Sequence, residues 1–326
     1  DDADIIFEYM PFDHPLYIMY SSGTTGLPKS IVHSAGGTLI QHLKELILHT
    51  NLTREDKIFY FTTCGWMMWN WLVSSLSIGA TIILYDGSPF YPNSATLLKM
   101  AKNLGITVFG TSAKYISALE MEKIVPKDIS TFPELRCILS TGSPLVEENY
   151  DYIYNKWKKD IQLCSISGGT DIISCFALGN PMLSIKRGEL QCRGLGMKVE
   201  SYSKDGDSFY DRKGELVCTQ AFPSMPIYFW NDKNEEKYYS AYFDRFPSVW
   251  HHGDYISISK DGGIKIFGRS DTTLNPGGVR IGTSEIYQTV ERFEEVDDSL
   301  VIGQPWSNDE RIVLFLKIKR GYILSE

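Results

Sequence analysis

The chain has 326 residues and a formal net charge of −8, with 43% hydrophobic and 22% charged residues. This length allows about two domains of ~150 residues, and the composition is typical of an ordinary soluble globular protein. The acidic balance argues against general binding of nucleic acid or anionic membrane, which needs a basic field. It does not exclude a phosphate ligand, which backbone N–H groups and a few cations can hold.

Short apolar strands alternate with helical patterns in the first half of the chain. Apolar residues at helical spacing predict a helix over 38–49, and a second helix over 94–104 ends just before Gly105. This alternation predicts an α/β domain with a mostly parallel sheet that is covered on both faces. The strand-like runs lie at 16–20, 57–61, 81–85, 106–110, 136–140 and 161–166.

The pattern changes after residue 185. Residues 186–270 consist of β-rich pieces separated by Gly, Asp and Lys turns, which predicts a smaller β subdomain. Residues 271–326 then begin a small α+β C-terminal domain, which about 55 residues would leave incomplete. We expect a helix over 282–293, capped by Thr283 or Ser284, and a strand over 312–319. Residues 1–185 form the α/β core that precedes this subdomain.

The chain begins DDADIIFEYM, with neither an initiating Met nor a signal-peptide pattern, so we expect a fragment. Its longest apolar run, 66–73, is too short to span a bilayer. The six cysteines show no CxxC spacing and no accompanying His cluster. Their mostly apolar surroundings predict buried thiols and a reducing, cytosolic compartment.

The segment YSSGTTGLPKSIVHS, residues 20–34, is the strongest functional signal. Its glycines allow backbone N–H groups to point into one anion-binding nest, while its hydroxyls and Lys29 add donors and a positive charge. It is not a Walker loop, since Pro28 precedes Lys29 where that motif would begin a helix. The alternative is an ordinary hydroxyl-rich loop.

This loop resembles the phosphate loop of the adenylate-forming superfamily. Three further segments resemble that family in the same order: STGSPL at 140–145, SISGGTD at 165–171, and a block at 251–286 that contains HHGDY and GRSD. The resemblance implies an ATP site made of Ser21, Ser22, Gly23, Thr24, Thr25, Gly26, Lys29, Gly142, Ser143, Pro144, Ser165, Ile166, Ser167, Gly168, Gly169, Thr170, Asp254, Arg269 and Arg280.

Within this site the resemblance implies individual roles. Lys29, Thr170 and Arg280 would be the catalytic residues at the phosphates, and Asp171 would stand near Mg²⁺ where the family usually has Glu. Asp254 would accept hydrogen bonds from both ribose hydroxyls, as a carboxylate can. The remaining roles are a nucleotide contact for Arg269, a hinge at Asp271 and, on weaker grounds, a CoA contact at Gly277.

The segment at 62–93, together with YFWND and RSDTTLNPGG, resembles the acetoacetyl-CoA synthetase branch of the superfamily. This resemblance implies an acyl pocket lined by Trp66, Met67 and Gly168, and it makes residues 1–185 the nucleotide- and acyl-binding core. Acetyl-CoA synthetases carry a tryptophan pair where this chain has Ser167 and Gly168, so a missing indole would leave room for a longer keto acid. The alternative is that Gly168 only permits a tight turn.

The implied reaction joins acetoacetate to CoA at the expense of ATP, with Mg²⁺ and no prosthetic group, nucleic-acid partner or membrane insertion. Two alternatives stay open: a synthetase for another short acid, and a silent nucleotide-binding scaffold. The second follows from Asp171 and from the missing C-terminal lysine of the family, since Lys317 and Lys319 alternate on a strand as solvent-facing residues do. We expect His33 to support a helix start, and no catalytic role for His251 or His252.

Overall fold

The computed structural model describes residues 6–21, 28–271, 273–279, 281–290, 293, 295–307 and 309–323. The strands are β1 Pro15–Ser21, β2 Lys29–Ser34, β3 Lys57–Tyr60, β4 Thr81–Ile83, β5 Val108–Ser112, β6 Cys137–Thr141, β7 Gln162–Ser165, β8 Ser167–Gly169, β9 Ser174–Leu178, β10 Cys192–Arg193, β11 Val199–Tyr202, β12 Gly214–Cys218, β13 Tyr228–Phe229, β14 Trp250–Ile258, β15 Ile264–Arg269, β16 Thr273–Leu274, β17 Ile281–Gly282, β18 Val296–Trp306 and β19 Asp309–Ile318. The α-helices are α1 Ala35–Leu43, α2 Met67–Val73, α3 Thr96–Leu104, α4 Ala113–Met121, α5 Pro126–Ile129, α6 Glu147–Tyr152, α7 Glu236–Tyr242 and α8 Thr283–Val290. The described residues also include two π-helical segments, Lys44–His49 and Ile153–Trp157, and two 3-10 segments, Ser74–Ile78 and Pro276–Gly278.

A five-stranded parallel sheet in the order β4-β3-β5-β6-β7 forms the centre of the first half. Successive residues of a strand point to opposite faces, and both faces are buried here. Phe59 and Phe109 pack into one apolar cluster, whereas their neighbours Ile58 and Val108 pack into a second cluster across the sheet. The predicted α/β class is therefore confirmed.

The first predicted strand lies outside this parallel sheet. β1 pairs antiparallel with β2, which in turn pairs antiparallel with β13. Only residues 22–28 connect β1 to β2, and a parallel crossover needs a dozen or more residues. The short connection makes a hairpin, so the alternation of strands and helices begins only at β3.

The helix predicted over 38–49 is α1 continued by a π-helical segment, and its buried face is more polar than its apolar spacing suggests. Leu39 and Ile47 are each 43% exposed, whereas Gln41 and His42 are fully buried. The buried carboxylate of Glu45 explains this orientation, because it accepts hydrogen bonds from Gln41, Ser174 and Trp71, whose side chains lie on three separate segments. Hydrogen bonds between Glu45 and residues of β9 and α2 therefore determine which face of this helix is buried. Apolar spacing alone does not determine it.

Antiparallel sheets dominate after β7. Strands β8 to β10 form one sheet in the order β10-β9-β8, and a second sheet has the order β11-β12-β14-β15. The latter packs on a third apolar cluster that includes Leu216, Trp250 and Ile256. The β-rich texture predicted from residue 186 is thus present, while the domain bounds at 185 and 270 stay predictions.

The last segments form α8 and the hairpin β18–β19. They correspond to the helix predicted over 282–293 and the strand predicted over 312–319. Thr283 is the first residue of α8, and the side chain of Ser284 lies outside the described residues. Lys317 is exposed on β19, as predicted, and Lys319 is exposed just beyond the end of that strand.

Four of the six cysteines are buried, as their apolar surroundings predict. Cys137, Cys164, Cys175 and Cys218 are buried and free, whereas Cys64 is exposed. Among the described residues, no helix combines the length and the apolar character that crossing a bilayer would require.

Candidate functional site

The predicted phosphate loop connects the two strands of a hairpin. Ser21 at the end of β1 lies in register opposite Lys29 at the start of β2. Lys29 therefore begins a strand and not a helix, in agreement with the prediction that this is not a Walker loop. The buried Ser21 hydroxyl has no hydrogen-bond partner within the part of the chain that the structure describes.

An ion pair at Asp171 connects this hairpin to the segment that follows β8. The Lys29 ammonium forms an ion pair with Asp171 Oδ1, and the two residues are 142 positions apart in the sequence. The Asp171 side chain is 1% exposed and that of Lys29 is 19% exposed. The Tyr242 hydroxyl donates a second hydrogen bond to the same carboxylate oxygen, at 2.7 Å. The fold thus brings the predicted phosphate-binding lysine to the predicted metal-binding carboxylate.

His33 lies behind Thr170, the neighbour of Asp171. The ring Nε2 of His33 is 3.2 Å from the Thr170 carbonyl oxygen, and burial lowers the pKa of His33 to about 4. The expectation that His33 supports the start of α1 is wrong. Ser34 is the N-cap there, since its hydroxyl accepts from Gly37 N at 3.1 Å, and adjacent strand residues such as His33 and Ser34 point to opposite faces.

Acid is expected to destabilise the protein through His33. The folded pKa of about 4 lies below the ordinary value of 6.5, so the unfolded state takes up the proton first. The stability that neutral His33 contributes is complete above pH 6.5 and is lost as the pH falls towards 4, by up to about 3 kcal/mol at 1.36 kcal/mol per pKa unit. His33→Gln should flatten the decline in the free energy of unfolding over this range, measured by urea titration. An identical slope in the variant would contradict the assignment.

Asp254, Arg269 and Asp271 form a second charged group. Asp254 on β14 lies in register opposite Arg269 on β15, and Arg269 Nη1 donates to Asp254 Oδ1 at 3.0 Å. Arg269 Nε donates to Asp271 Oδ1 at 3.1 Å. Burial alone would lower the pKa of Arg269, but the charges of Asp254 and Asp271 outweigh it and raise that pKa. Asp171 adds to this effect, so the two charged groups belong to one electrostatic environment.

Trp66 lies beside the turn that follows β6. An added Cβ at Gly142 would lie 4.0 Å from Trp66 Cζ2 and 3.9 Å from Gly278 Cα. Gly142 has a φ of +95°, which favours glycine. Ser143 is half-buried and Pro144 is exposed. This turn of the predicted ATP site and the first predicted acyl-pocket residue are therefore neighbours.

The second predicted acyl-pocket residue, Met67, is 5% exposed and belongs to the apolar cluster between the parallel sheet and α2. Trp71 is 2% exposed in the same cluster. The partly buried Trp66 packs against the edge of that cluster. Of these residues, Trp66 is the one whose ring reaches the predicted nucleotide turn.

Residues 165–169 lead from the parallel sheet to Asp171. Ser165 and Ile166 are buried, and the Ile166 carbonyl accepts a hydrogen bond from Thr141 Oγ1 at 2.8 Å. This bond ties the segment to the turn that carries Gly142. Ser167 and Gly169 are half-buried members of β8.

The backbone of β9 leaves no room for a side chain at position 168. A Cβ added at Gly168 would lie 1.9 Å from the Ser174 carbonyl oxygen and 2.5 Å from Cys175 Cα. The interpretation that a missing side chain here opens the acyl pocket is therefore wrong in its reason, because any side chain would first displace β9. Close approach of the two strands accounts for the glycine, and a bulky substitution would test the sheet and not the pocket.

Part of the predicted site lies outside the described residues: Ser22, Gly23, Thr24, Thr25, Gly26 and Arg280. Gly277, the predicted CoA contact, is exposed, and its N–H donates to Asp309 Oδ1 at 2.9 Å. His252 Nε2 lies 3.6 Å from Asp254 Oδ2, whereas His251 Nε2 contacts Glu215 Oε2 at 2.9 Å.

Sequence reasoning missed Tyr242, which reaches Asp171 from α7. Its ring stacks on Trp250, with centroids 3.7 Å apart and an interplanar angle of 15°. The segment from α7 to β14 is rich in aromatic residues, and such residues are more often core than functional. The local sequence therefore gives no signal that one hydroxyl of this cluster faces a buried carboxylate.

Comparisons with known proteins give a consistent result. The sequence model of the AMP-binding enzyme family matches residues 8–205. The chain is 56% identical to acetoacetyl-coenzyme A synthetase of Rhizobium meliloti (strain 1021) over 99% of its own length and 50% of that protein. It is 55% identical to acetoacetyl-CoA synthetase of Danio rerio over 97% of its length and 47% of that protein.

The fold is also similar to that of a solved structure, acetoacetyl-CoA synthetase from Streptomyces lividans. The TM-score is 0.81 at 45% sequence identity, and the match covers 100% of this chain and 50% of the other. The chain thus spans about half the length of the relatives that it matches.

Proposed function

The chain belongs to the AMP-binding enzyme family, and on that premise we propose that it is part of an ATP-dependent acid–thiol ligase. The reaction converts acetoacetate, ATP and CoA to acetoacetyl-CoA, AMP and diphosphate through an acyl-adenylate. A cytosolic location belongs to the same proposal, supported by the free thiols of the buried cysteines.

The ion pair between Lys29 and Asp171 is the main observation that supports this proposal. An ordinary surface lysine is not expected to pair with a buried carboxylate 142 positions away. A triphosphate site, in contrast, requires a mobile positive charge beside an oxygen that binds the metal. The names of the similar proteins support acetoacetate as the acid. The ribose and hinge roles of Asp254 and Asp271 are supported by the buried Arg269 between them.

Asp171 would hold Mg²⁺ together with the phosphates. Among the described residues, no group of three or more His, Cys, Asp or Glu side chains could hold a metal ion, so a cage made of protein alone is not supported there. Mg²⁺ commonly binds through one or two carboxylates, substrate phosphates and water, and a single buried carboxylate beside the phosphate loop fits that mode. Bound there, the ion would supply positive charge against the triphosphate.

In the first step, a carboxylate oxygen of acetoacetate attacks the α-phosphorus of ATP. The bond from that phosphorus to the bridging oxygen of the β-phosphate breaks, and diphosphate leaves. Positioning and neutralisation of developing charge provide most of the catalysis in such transfers. Lys29 suits this task because it can move from Asp171 to a phosphate oxygen. In the second step, the CoA sulfur attacks the acyl carbon and the thiol proton is released to solvent. The bond from that carbon to the phosphate oxygen of AMP breaks, and AMP leaves.

Exchange of labelled diphosphate into ATP, measured with the natural full-length protein and a panel of short acids, tests the proposal. We expect acetoacetate to support the fastest exchange. Faster exchange with another short acid would replace acetoacetate as the substrate. Binding of ATP without exchange for any acid would favour the nucleotide-binding scaffold, which the substitution of Asp171 for the usual Glu keeps open.

A further inference from the structure

Tyr242 is a buried aromatic residue whose hydroxyl faces the charged centre of the site. It is the last residue of α7 and is 3% exposed. Its hydroxyl donates to Asp171 Oδ1 at 2.7 Å, and the centroid of its ring lies 5.0 Å from Lys29 Nζ. Tyr242 therefore contacts both members of the ion pair, through the hydroxyl on one side and the ring face on the other.

The ring of Tyr242 is held in place by its aromatic neighbours. It stacks on Trp250 at 3.7 Å and meets Phe229 edge-on at 5.7 Å. Trp250 is itself 2% exposed. A ring with large buried neighbours on its sides has little freedom to turn, so the hydroxyl is a fixed donor.

Lys29 is the less fixed partner of Asp171. A lysine carries its charge on a flexible four-carbon stem, and that of Lys29 keeps 19% of its surface exposed against 1% for Asp171. A phosphate that attracts Lys29 would leave the Asp171 carboxylate buried with less compensating charge, which is costly. The Tyr242 hydroxyl contacts the same oxygen that Lys29 would leave.

We propose that Tyr242 is a positioning residue that keeps the Asp171 carboxylate in place while Lys29 moves from it to the anionic ligand. The proposal rests on the proposed function only in taking the phosphates of ATP as that ligand. With Tyr242 in place, Asp171 keeps one orientation for Mg²⁺ both before and after Lys29 moves. Without the hydroxyl, the carboxylate loses one of the donors that fix its orientation.

Tyr238 provides a matched control in the same helix. It packs against Tyr242 with ring centroids 5.5 Å apart, but its hydroxyl donates to the Pro226 carbonyl oxygen at 3.2 Å. Tyr238→Phe therefore deletes a hydroxyl from the same aromatic cluster without touching Asp171. A loss of ATP affinity in both tyrosine variants would indicate an effect on packing. A loss confined to Tyr242→Phe would indicate an effect on the Asp171 carboxylate.

The experiment compares Tyr242→Phe, Tyr238→Phe and the natural full-length protein. ATP binding is measured by calorimetry over a series of Mg²⁺ concentrations, and the free energy of unfolding is measured alongside. For Tyr242→Phe we expect the Mg²⁺ concentration that gives half-maximal ATP affinity to rise about three- to tenfold, with Tyr238→Phe unchanged. Diphosphate exchange should fall through kcat more than through the KM for ATP.

Equal Mg²⁺ dependence in the two tyrosine variants would overturn the proposal, as would a Tyr242→Phe protein that loses only stability. Trp250→Phe loosens the stacked ring but keeps the hydroxyl. It should shift the Mg²⁺ dependence in the same direction by a smaller factor, and it supplies the test if Tyr242→Phe does not fold. Because binding is measured without any acid, a failure to find exchange would overturn the proposed reaction and leave the role of Tyr242 decided by the binding data.

Discussion

Asp254→Ala is expected to weaken ATP binding by roughly ten- to a hundredfold, which corresponds to about 1.5–3 kcal/mol for a hydrogen bond to a charged group. Asp254 is only 9% exposed, and one of its oxygens already accepts from Arg269 at 3.0 Å. In the proposed site the carboxylate would also accept from the ribose hydroxyls. The measurement is calorimetric titration of the natural full-length protein with ATP.

Two further variants separate the ribose contact from general effects of charge. Asp205→Ala removes an exposed carboxylate from a turn of the same β-rich region and should leave the ATP affinity unchanged. Asp254→Asn keeps the shape and one acceptor oxygen, so it should lose less affinity than Asp254→Ala. Unchanged affinity in Asp254→Ala would remove Asp254 from the nucleotide site.

The elements that carry the site were predictable because their local patterns agree with their surroundings. Gly105 ends α3 with a φ of +61°, as a glycine after a helical pattern predicts. Parallel strands such as β5 and β6 begin with consecutive apolar residues because both faces of the sheet are buried. Asp254 and Arg269 were found through resemblance, and the register of β14 and β15 supplies the physical reason for their pairing.

The features that were missed depend on contacts between distant segments. In the sequence, Gly168 is equally compatible with an open acyl pocket and with a tight turn. The position of the Ser174 carbonyl oxygen, which the sequence does not reveal, is needed to explain the glycine. The buried face of α1 follows from the hydrogen bonds of Glu45 to other segments, which override the apolar spacing. Tyr242 gives no local signal because only the fold directs its hydroxyl to Asp171.

Lys29→Met is expected to lower both diphosphate exchange and stability, and the two effects should separate in a double variant. Loss of a preorganised positive group at the reacting phosphates costs about 10²–10³-fold in kcat. Loss of the partner of a buried carboxylate costs about 1–3 kcal/mol in the free energy of unfolding. The stability loss should stay within that range because Lys29 is partly exposed and Tyr242 still donates to Asp171.

Adding Asp171→Asn to Lys29→Met removes the uncompensated charge, since an amide of the same shape can remain buried without a cation. The double variant should therefore regain most of the free energy of unfolding, measured by urea titration, while exchange stays as low as in Lys29→Met. This non-additivity is the signature of a direct pair. Purely additive losses in stability would contradict the buried ion pair, and recovery of exchange in the double variant would show that neither side chain acts on the phosphates.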